Sequence, residues 1–179
     1  MSMDIRITNA ATRAFGPELV QIGIADGRVT EIGKTVSGNP KREIDAQGNL
    51  VTESFVNGHL HLDKVYTLEM VGQDALGSYH GEGMGGAMTA IEQASRVKDN
   101  YDESWIIENV RRACTLAVKY GNTHIRAFAD VDTKGKLEGA KALIRAREEF
   151  KEAVDIQVVA FPQDGVVRDP GAAGWVRKA

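Results

Sequence analysis

Cysteine, aromatic residues and long apolar runs are scarce in this chain of 179 residues. The single cysteine, Cys114, excludes an internal disulfide and any zinc cluster built on several cysteines. No apolar run approaches the ~20 residues that a membrane-spanning helix needs, and the start MSMDIRITNA lacks the apolar core of a signal peptide. The net charge of −3 gives no reason to expect nucleic acid as a partner. We therefore expect a cytoplasmic protein that binds neither membranes nor nucleic acid.

Residues 1–50 carry the pattern of short β-strands. Apolar residues alternate with other residues from Val20 to Ile24, which is the period of a half-buried strand. The dipeptide Asp26-Gly27 then favours a hairpin turn, and Glu43–Ala46 has the composition of one more short strand. We predict a β-layer of about four strands that is too small to enclose a core alone.

Residues 51–179 follow a different pattern, in which strands alternate with helices. Asp102 and Thr133 are each placed to cap a helix. Strands are predicted near 51–61, 122–131 and 155–162. The second helix is predicted to bury Leu137, Ala140 and Ile144. Strands separated by helices, without hairpins, predict βαβ units and a parallel sheet.

The sequence His59-Leu60-His61 lies at the end of the first of these strands. Residues i and i+2 of a strand project from the same face, about 6–7 Å apart at their Cα atoms, so two imidazoles can converge on one divalent metal ion. The opposite face is apolar and is expected to pack against helices: Val56, Leu60 and Leu62. The histidines are expected to share their own face with Phe55, Asn57 and Asp63. The alternative is a pair of solvated or hydrogen-bonded histidines.

Longer stretches around these residues resemble a known family. The run IDAQGNLVTESFVNGHLHLDK resembles the beginning of the amidohydrolase superfamily. The segments HLHLDK, GNTHIRAFADVD and DIQVVAFPQDG resemble its cytosine deaminase branch, which includes the N-isopropylammelide amidohydrolases. The resemblance implies an α/β fold, in which residues 51–179 form the first three βα units of a truncated (β/α)₈ metal-dependent hydrolase barrel. Residues 1–50 would then form the amino-terminal part of a β-sandwich.

The same resemblance implies roles for individual residues. His59 and His61 match the two metal ligands of the first barrel strand, and Gln163 matches a glutamine that hydrogen-bonds the substrate's ring amide. The alternative for Gln163 is a loop glutamine in water. Asp63 and Lys64 would support the ligands. The implied cofactor is one divalent metal ion, Zn²⁺ or Fe²⁺, which activates water for attack on a ring carbon that carries an exocyclic nitrogen; neutral imidazoles suit both metals.

The chain also departs from the family pattern. Phe128 stands where family members commonly have a histidine, which puts cytosine itself in doubt as a substrate. The same face carries His124, Arg126 and Asp130. It points into the barrel if the alternate residues meet the helices, and His124 is expected to be structural rather than a ligand. His80 lies in the glycine-rich segment Gly77–Gly86, where a solvated histidine is favoured over a substrate-binding residue of a mobile lid.

The family's other ligands and its glutamate proton shuttle belong to later strands, so the catalytic residues are expected beyond residue 179. Two histidines alone are short of the three protein ligands usual in catalytic zinc sites. We therefore expect this chain to be inactive alone, and we expect a homo-oligomer. Three hypotheses remain open: a hydrolytic deaminase of an amino-substituted N-heterocycle; a hydrolase of another C–N bond, such as an N-alkylamino-triazine or a cyclic amide; and a non-enzymatic truncated or split-protein segment.

Overall fold

The computed structural model describes residues 3–67, 70 and 96–179. The chain divides into two compact units, Met1–Glu53 and Ser54–Ala179. His80 and the glycines of Gly77–Gly86 lie outside the described residues, so the hypothesis of a lid stays a prediction. Among the residues that are described, no helix is long and apolar enough to cross a membrane.

The first unit is a mixed four-stranded sheet in the order β3-β2-β1-β4. Its strands are β1 Met3–Ala10, β2 Val20–Ala25, β3 Arg28–Gly33 and β4 Pro40–Asp45. Strand β2 pairs antiparallel with both β1 and β3, whereas β4 pairs in parallel with β1. The β2–β3 hairpin turns at Asp26 and Gly27, with φ angles of 51° and 69°. Two positive φ values are what a two-residue type I′ turn requires, so the predicted hairpin is present.

Only a few side chains form the core of this unit. Ala10, Val20 and Ile22 are buried together. Val51 packs against them and donates its backbone N–H to the carbonyl of Ala11, at 2.8 Å. The segment predicted to open the first parallel strand therefore begins as part of the first sheet, and the strand itself starts later than residue 51.

The second unit is a three-stranded parallel sheet in the order β5-β6-β7, with helices between its strands. The strands are β5 Phe55–Leu60, β6 Asn122–Asp130 and β7 Asp155–Phe161. The main helices are α1 Glu103–Lys119 and α2 Glu138–Phe150, followed by the short helices α3 Gly165–Arg168 and α4 Ala172–Val176. Single 3₁₀ turns span Leu62–Lys64 and Arg96–Asn100. The α/β pattern and the parallel pairing agree with the prediction.

One face of this sheet is covered by α1 and α2. Alternate residues of β6 and its end are fully or almost fully buried in the apolar core: Ile125, Ala127, Ala129 and Val131. Helix α1 begins at the predicted cap, because the Asp102 carboxylate accepts a hydrogen bond from the Ser104 N–H at 2.8 Å. His124 and Arg126 lie on the opposite face of β6 and are exposed. The helix-covered face is thus the one that the alternation of β6 predicts.

Helix α2 differs from its prediction at both its start and its stripe. Thr133 does not cap it, because the Thr133 N–H and hydroxyl both donate to the Asp169 carboxylate at 2.9 Å. The helix begins five residues later, at Glu138. Ile144 is 41% exposed, whereas Leu143 and small residues beside it are buried. Ala140 is buried and Leu137 packs against the core, as predicted, but Leu143 and Ala146 take the buried place predicted for Ile144.

Strand β5 is also shorter than the alternation suggests. Its register against β6 is irregular between Phe55 and Val56 and again between Asn57 and Leu60. Val56 is 68% exposed, which contradicts its predicted place against the helices. The strand ends at Leu60, and a 3₁₀ turn buries Leu62 and Asp63 instead. Asp63 therefore does not continue the face of the two histidines.

Candidate metal and substrate site

The predicted site residues meet where the three parallel strands end. His59 is the penultimate residue of β5, and His61 comes directly after the strand. Asp130 is the last residue of β6, and Gln163 comes two residues after the end of β7. The strands are neighbours and run the same way. Their carboxyl ends therefore lie at one edge, where active sites of α/β proteins are usually built.

The two histidine rings lie on the same side of the sheet. Their centroids are 5.3 Å apart. The ring of His59 stacks on Phe128 at 4.3 Å, with only 26° between the ring planes. The ring of His61 meets the edge of Phe161 at 5.5 Å. Phe128, which departs from the family pattern, thus provides an apolar wall for His59 at this site.

A second group of potential ligands surrounds His61. One ligand atom from each of His61, Asp63 and Asp130 lies within 4.8 Å of the others. Asp63 is fully buried, and its Oδ2 accepts hydrogen bonds from the Tyr101 hydroxyl at 2.9 Å and from the Asp130 N–H at 2.8 Å. His59 is not a member of this group. The sequence had suggested a supporting role for Asp63, but not its pairing with Asp130.

Several buried polar atoms of this group lack a hydrogen-bond partner among the described residues. They are Nδ1 of His61, Oδ1 of Asp63 and both carboxylate oxygens of Asp130. Burial and the nearby Lys64 cation lower the pKa of His61, against the opposing influence of Asp130. A neutral imidazole beside carboxylate oxygens is a donor set that divalent metals bind. His61, unpartnered within the described part of the chain, therefore fits the metal ion that the resemblance implies, whereas Asp130 Oδ2 is shared with the ammonium groups of Lys64 and Lys98.

Burial governs the ionisation of Asp63 as well. Desolvation raises its pKa to about 6, although Lys64 and the hydrogen bonds from Asp130 and Tyr101 act in the opposite direction. The pKa of Tyr101 is raised, by burial first and then by the Asp63 and Asp130 charges. The Tyr101 hydroxyl consequently stays protonated and donates a hydrogen bond to Asp63.

Lys64 links Asp130 to Gln163. Its Nζ is 2.9 Å from Asp130 Oδ2, without the alignment of a hydrogen bond, and it donates to Oε1 of Gln163. Since a lysine ammonium group only donates, the carbonyl end of the Gln163 amide must face Lys64. The NH₂ end is then directed elsewhere, as a donor. Gln163 is half-buried, and its amide oxygen is bonded to Lys64; its role in substrate binding stays a prediction.

Lys98 is the residue at this edge that the sequence did not suggest. Its side chain is fully buried, and its Nζ donates to Asp132 at 2.6 Å and to Asp164 at 2.7 Å. Asp130 Oδ2 lies 3.5 Å away. Burial opposes the charge of Lys98, but the hydrogen bonds to Asp132 and Asp164 outweigh it and raise the pKa. The burial of Lys98 had no signal in the sequence, because its partners Asp132 and Asp164 come from distant parts of the chain.

His124 lies near the start of β6 and Arg126 at its middle, both on the amino-terminal side of Phe128 and Asp130. His124 Nδ1 is 2.8 Å from the Thr123 hydroxyl. Arg126 donates to Oε1 of Gln157 on β7 at 2.7 Å, and both residues are exposed. The structure thus brings His59, His61, Asp130 and Gln163 to one edge and leaves His124 and Arg126 away from it.

Comparison with known proteins agrees with this architecture. The model of the amidohydrolase family matches residues 42–175. The chain therefore belongs to the amidohydrolase family. It is 34% identical over 160 residues to the N-isopropylammelide isopropyl amidohydrolase of Pseudomonas sp. strain ADP, an alignment that covers 88% of this chain and 38% of that protein.

Two solved structures share the fold. The 5-methylcytosine deaminase of Klebsiella pneumoniae liganded with 5-fluorocytosine superposes with a TM-score of 0.76 and 25% identity, over 97% of this chain and 40% of that one. The N-isopropylammelide isopropylaminohydrolase of Burkholderia multivorans superposes with a TM-score of 0.72 and 25% identity, over 99% of this chain and 42% of that one. The predicted resemblance to this branch is confirmed. The chain spans about two fifths of the length of these relatives.

Proposed function

We propose that the protein containing this chain is a metal-dependent hydrolase that deaminates an amino-substituted N-heterocycle. In this proposal residues 54–179 supply the first three βα units of a (β/α)₈ barrel. The observation that carries it is the convergence of His59, His61, Asp130 and Gln163 at the carboxyl edge of three neighbouring parallel strands. The likeness to a deaminase and to two amidohydrolases of N-heterocycles supports this substrate class.

The metal ion would be held by His59 and His61, with Asp63 and Asp130 close to His61. When bound, Zn²⁺ or Fe²⁺ supplies an activated water at neutral pH. Burial lowers the pKa of His61, which favours the neutral imidazole that ligation needs. Asp63 and Tyr101 fix the backbone of Asp130, so that the carboxylate of Asp130 stays beside His61.

Gln163 would hold the heterocycle in register. Because Lys64 occupies the carbonyl end of its amide, the NH₂ end is the part that would meet the substrate. An amide NH₂ pairs with ring nitrogens and oxo oxygens that carry lone pairs. The proposal therefore favours a ring edge that presents acceptors to Gln163.

A second candidate function is hydrolysis of an N-alkylamino bond on the same type of ring. The relative that is 34% identical carries the name of an isopropyl amidohydrolase, which favours this alternative. Both candidates use the same metal and the same glutamine. They differ only in the group that leaves the ring.

The metal assignment is tested with the intact protein by His59→Ala and His61→Ala, with His124→Ala as the matched control. Each of the first two variants should lose bound metal and nearly all turnover. His124, which lies at the start of β6, should be replaceable without loss of metal. Metal content measured on the purified variants decides the assignment, and unchanged stoichiometry in both His59→Ala and His61→Ala would show that these residues are not the ligands.

The reaction is tested on a panel of aminopyrimidines, aminotriazines, N-alkylaminotriazines and creatinine-like rings. Release of ammonia supports the deaminase, and release of an alkylamine supports the alternative. The absence of turnover on every ring, from metal-loaded intact protein, would favour the non-enzymatic hypothesis.

A further inference from the structure

Lys98 belongs to a network of ion pairs and hydrogen bonds that reaches Gln163. Its ammonium group touches Asp164, which is the next residue after Gln163. It also lies beside Asp130, which faces Lys64, and Lys64 donates to Gln163. Gln163 is therefore held from both sides, by its own amide oxygen and by its neighbour along the chain.

The carboxylates that share Lys98 are not held equally well without it. Asp132 Oδ1 also accepts the N–H groups of Lys134 and Gly135, at 2.9 and 2.8 Å, and Asp132 is almost fully buried. The side chain of Asp164 is 40% exposed, and the bond to Lys98 is its only side-chain hydrogen bond among the described residues. Loss of Lys98 would release Asp164 far more than Asp132.

We infer that Lys98 is a positioning residue for Gln163: by holding Asp164 against the fixed Asp132, it sets the start of the segment after β7 and so the direction of the Gln163 amide. This role rests on the proposed function of Gln163 in binding the ring. Among the described residues, the Lys98 ammonium group pairs with Asp130, Asp132 and Asp164 and with neither of the two histidines. Because Lys98 also lies 3.5 Å from Asp130, its effect through Gln163 is isolated by changing Asp164, which leaves the contact with Asp130 in place.

The decisive variant is Asp164→Ala, because Asp164 is partly exposed and its removal leaves the buried Lys98–Asp132 pair intact. In the intact protein we expect KM for the best ring substrate to rise about tenfold, a typical coupling between contacting residues, with a smaller change in kcat. Asp164→Asn, which can still accept from Lys98, should recover most of this loss. In a Gln163→Ala background, Asp164→Ala should add almost nothing.

Asp169→Ala is the matched control. Asp169 also ties the segment after β7 to the end of β6, through two hydrogen bonds to Thr133, but it does not touch Lys98. Its KM should change less than twofold. Equal losses in Asp169→Ala and Asp164→Ala, or a full loss from Asp164→Ala in the Gln163→Ala background, would overturn the role of Lys98.

A readout that needs no turnover separates this inference from the proposed reaction. The side-chain NH₂ signals of Gln163 in a ¹H–¹⁵N spectrum can be assigned by their loss in Gln163→Ala. They should shift in Asp164→Ala and in Lys98→Met, and stay in place in Asp169→Ala. Unshifted signals in Asp164→Ala would contradict the positioning role, whatever substrate the protein uses. Shifted signals without turnover on any ring would contradict only the proposed reaction.

Discussion

The two ends of the parallel sheet carry the same kind of contact in very different surroundings. At the carboxyl end, Lys64 donates to Gln163 beside the buried Asp130 and Lys98. Toward the amino end, Arg126 donates to Gln157 with both side chains exposed. Water competes freely for the second pair, whereas the first is partly buried and adjoins the fully buried side chains of Asp130 and Lys98. The comparison indicates that a contact between a cation and a glutamine fixes the glutamine side chain firmly only where buried charges hold the contact in place.

Removal of the buried cation should produce the largest effect. Lys98→Met leaves Asp130 and Asp132 buried without their shared partner, and the loss of one member of a buried ion pair typically costs about 3–5 kcal/mol. Arg126→Met at the other end should change the free energy of unfolding only slightly. Urea unfolding of the two variants measures the contrast, and equal losses would remove the distinction between the two ends.

Replacing each of the two glutamines by alanine compares how much the two cation–glutamine contacts contribute to substrate binding. Gln163→Ala should weaken binding of the best ring substrate by about 1–3 kcal/mol, or roughly five- to 150-fold, because ring polar atoms lose their partner. Gln157→Ala should leave binding unchanged. Steady-state kinetics on both variants provide the test. Unchanged kinetics in Gln163→Ala would place that residue outside the pocket.

The close approach of α2 to the carboxyl edge can be tested at Gly139. A Cβ at this position would lie 3.1 Å from Asp63 Cβ and 3.2 Å from Asp63 Oδ2. Overpacking costs typically about 1–3 kcal/mol, from which better helix propensity recovers up to about 1 kcal/mol. Gly139→Ala should therefore lower the unfolding free energy, whereas Gly174→Ala, with no atoms near the added Cβ, should not. A stable Gly139→Ala variant would show that Asp63 can move.

The smallest expected effect concerns a group buried without any charged partner. Burial raises the pKa of the Cys114 thiol to about 11. The thiolate is the reactive form, so little of it is present in the folded protein at pH 8. A thiol reagent should label Cys114 only as fast as the protein unfolds. Rapid labelling under native conditions would mean that the helix-covered face opens more readily than its packing indicates.

The sequence was sufficient to predict the parts of the site that depend on strand order. His59 lies near the end of β5, His61 just after it and Gln163 just after β7, and βαβ alternation places these strands in one parallel sheet, so the meeting of the three residues at one edge could be expected before any coordinates. The face of β6 that meets the helices followed from the alternation of Ile125 and Ala127 with polar residues. Local period and chain order contain this information.

The contacts that depend on how turns pack could not be predicted in the same way. The 3₁₀ turn after Leu60 ended the strand period and buried Asp63, which the alternation had placed beside the histidines. Thr133 was predicted to cap α2, but it donates hydrogen bonds to Asp169, 36 residues further along the chain. Lys98 lies in a short 3₁₀ turn whose sequence gives no sign of burial. Tertiary packing decides the burial and the partners of these three residues, and local sequence patterns do not predict such packing.

The distance along the chain between the partners of the buried network has a consequence for the order of folding. Lys64 and Gln163 are 99 residues apart, and Lys98 and Asp164 are 66 apart. The entropy of closing such loops opposes early contact between these residues. Burial of the lysine ammonium group is also unfavourable until its carboxylate partners are in place. The candidate site should therefore form after the helices and the hairpin. Substitutions of Lys98 should accelerate unfolding and leave the folding rate almost unchanged, as expected for contacts absent from the transition state.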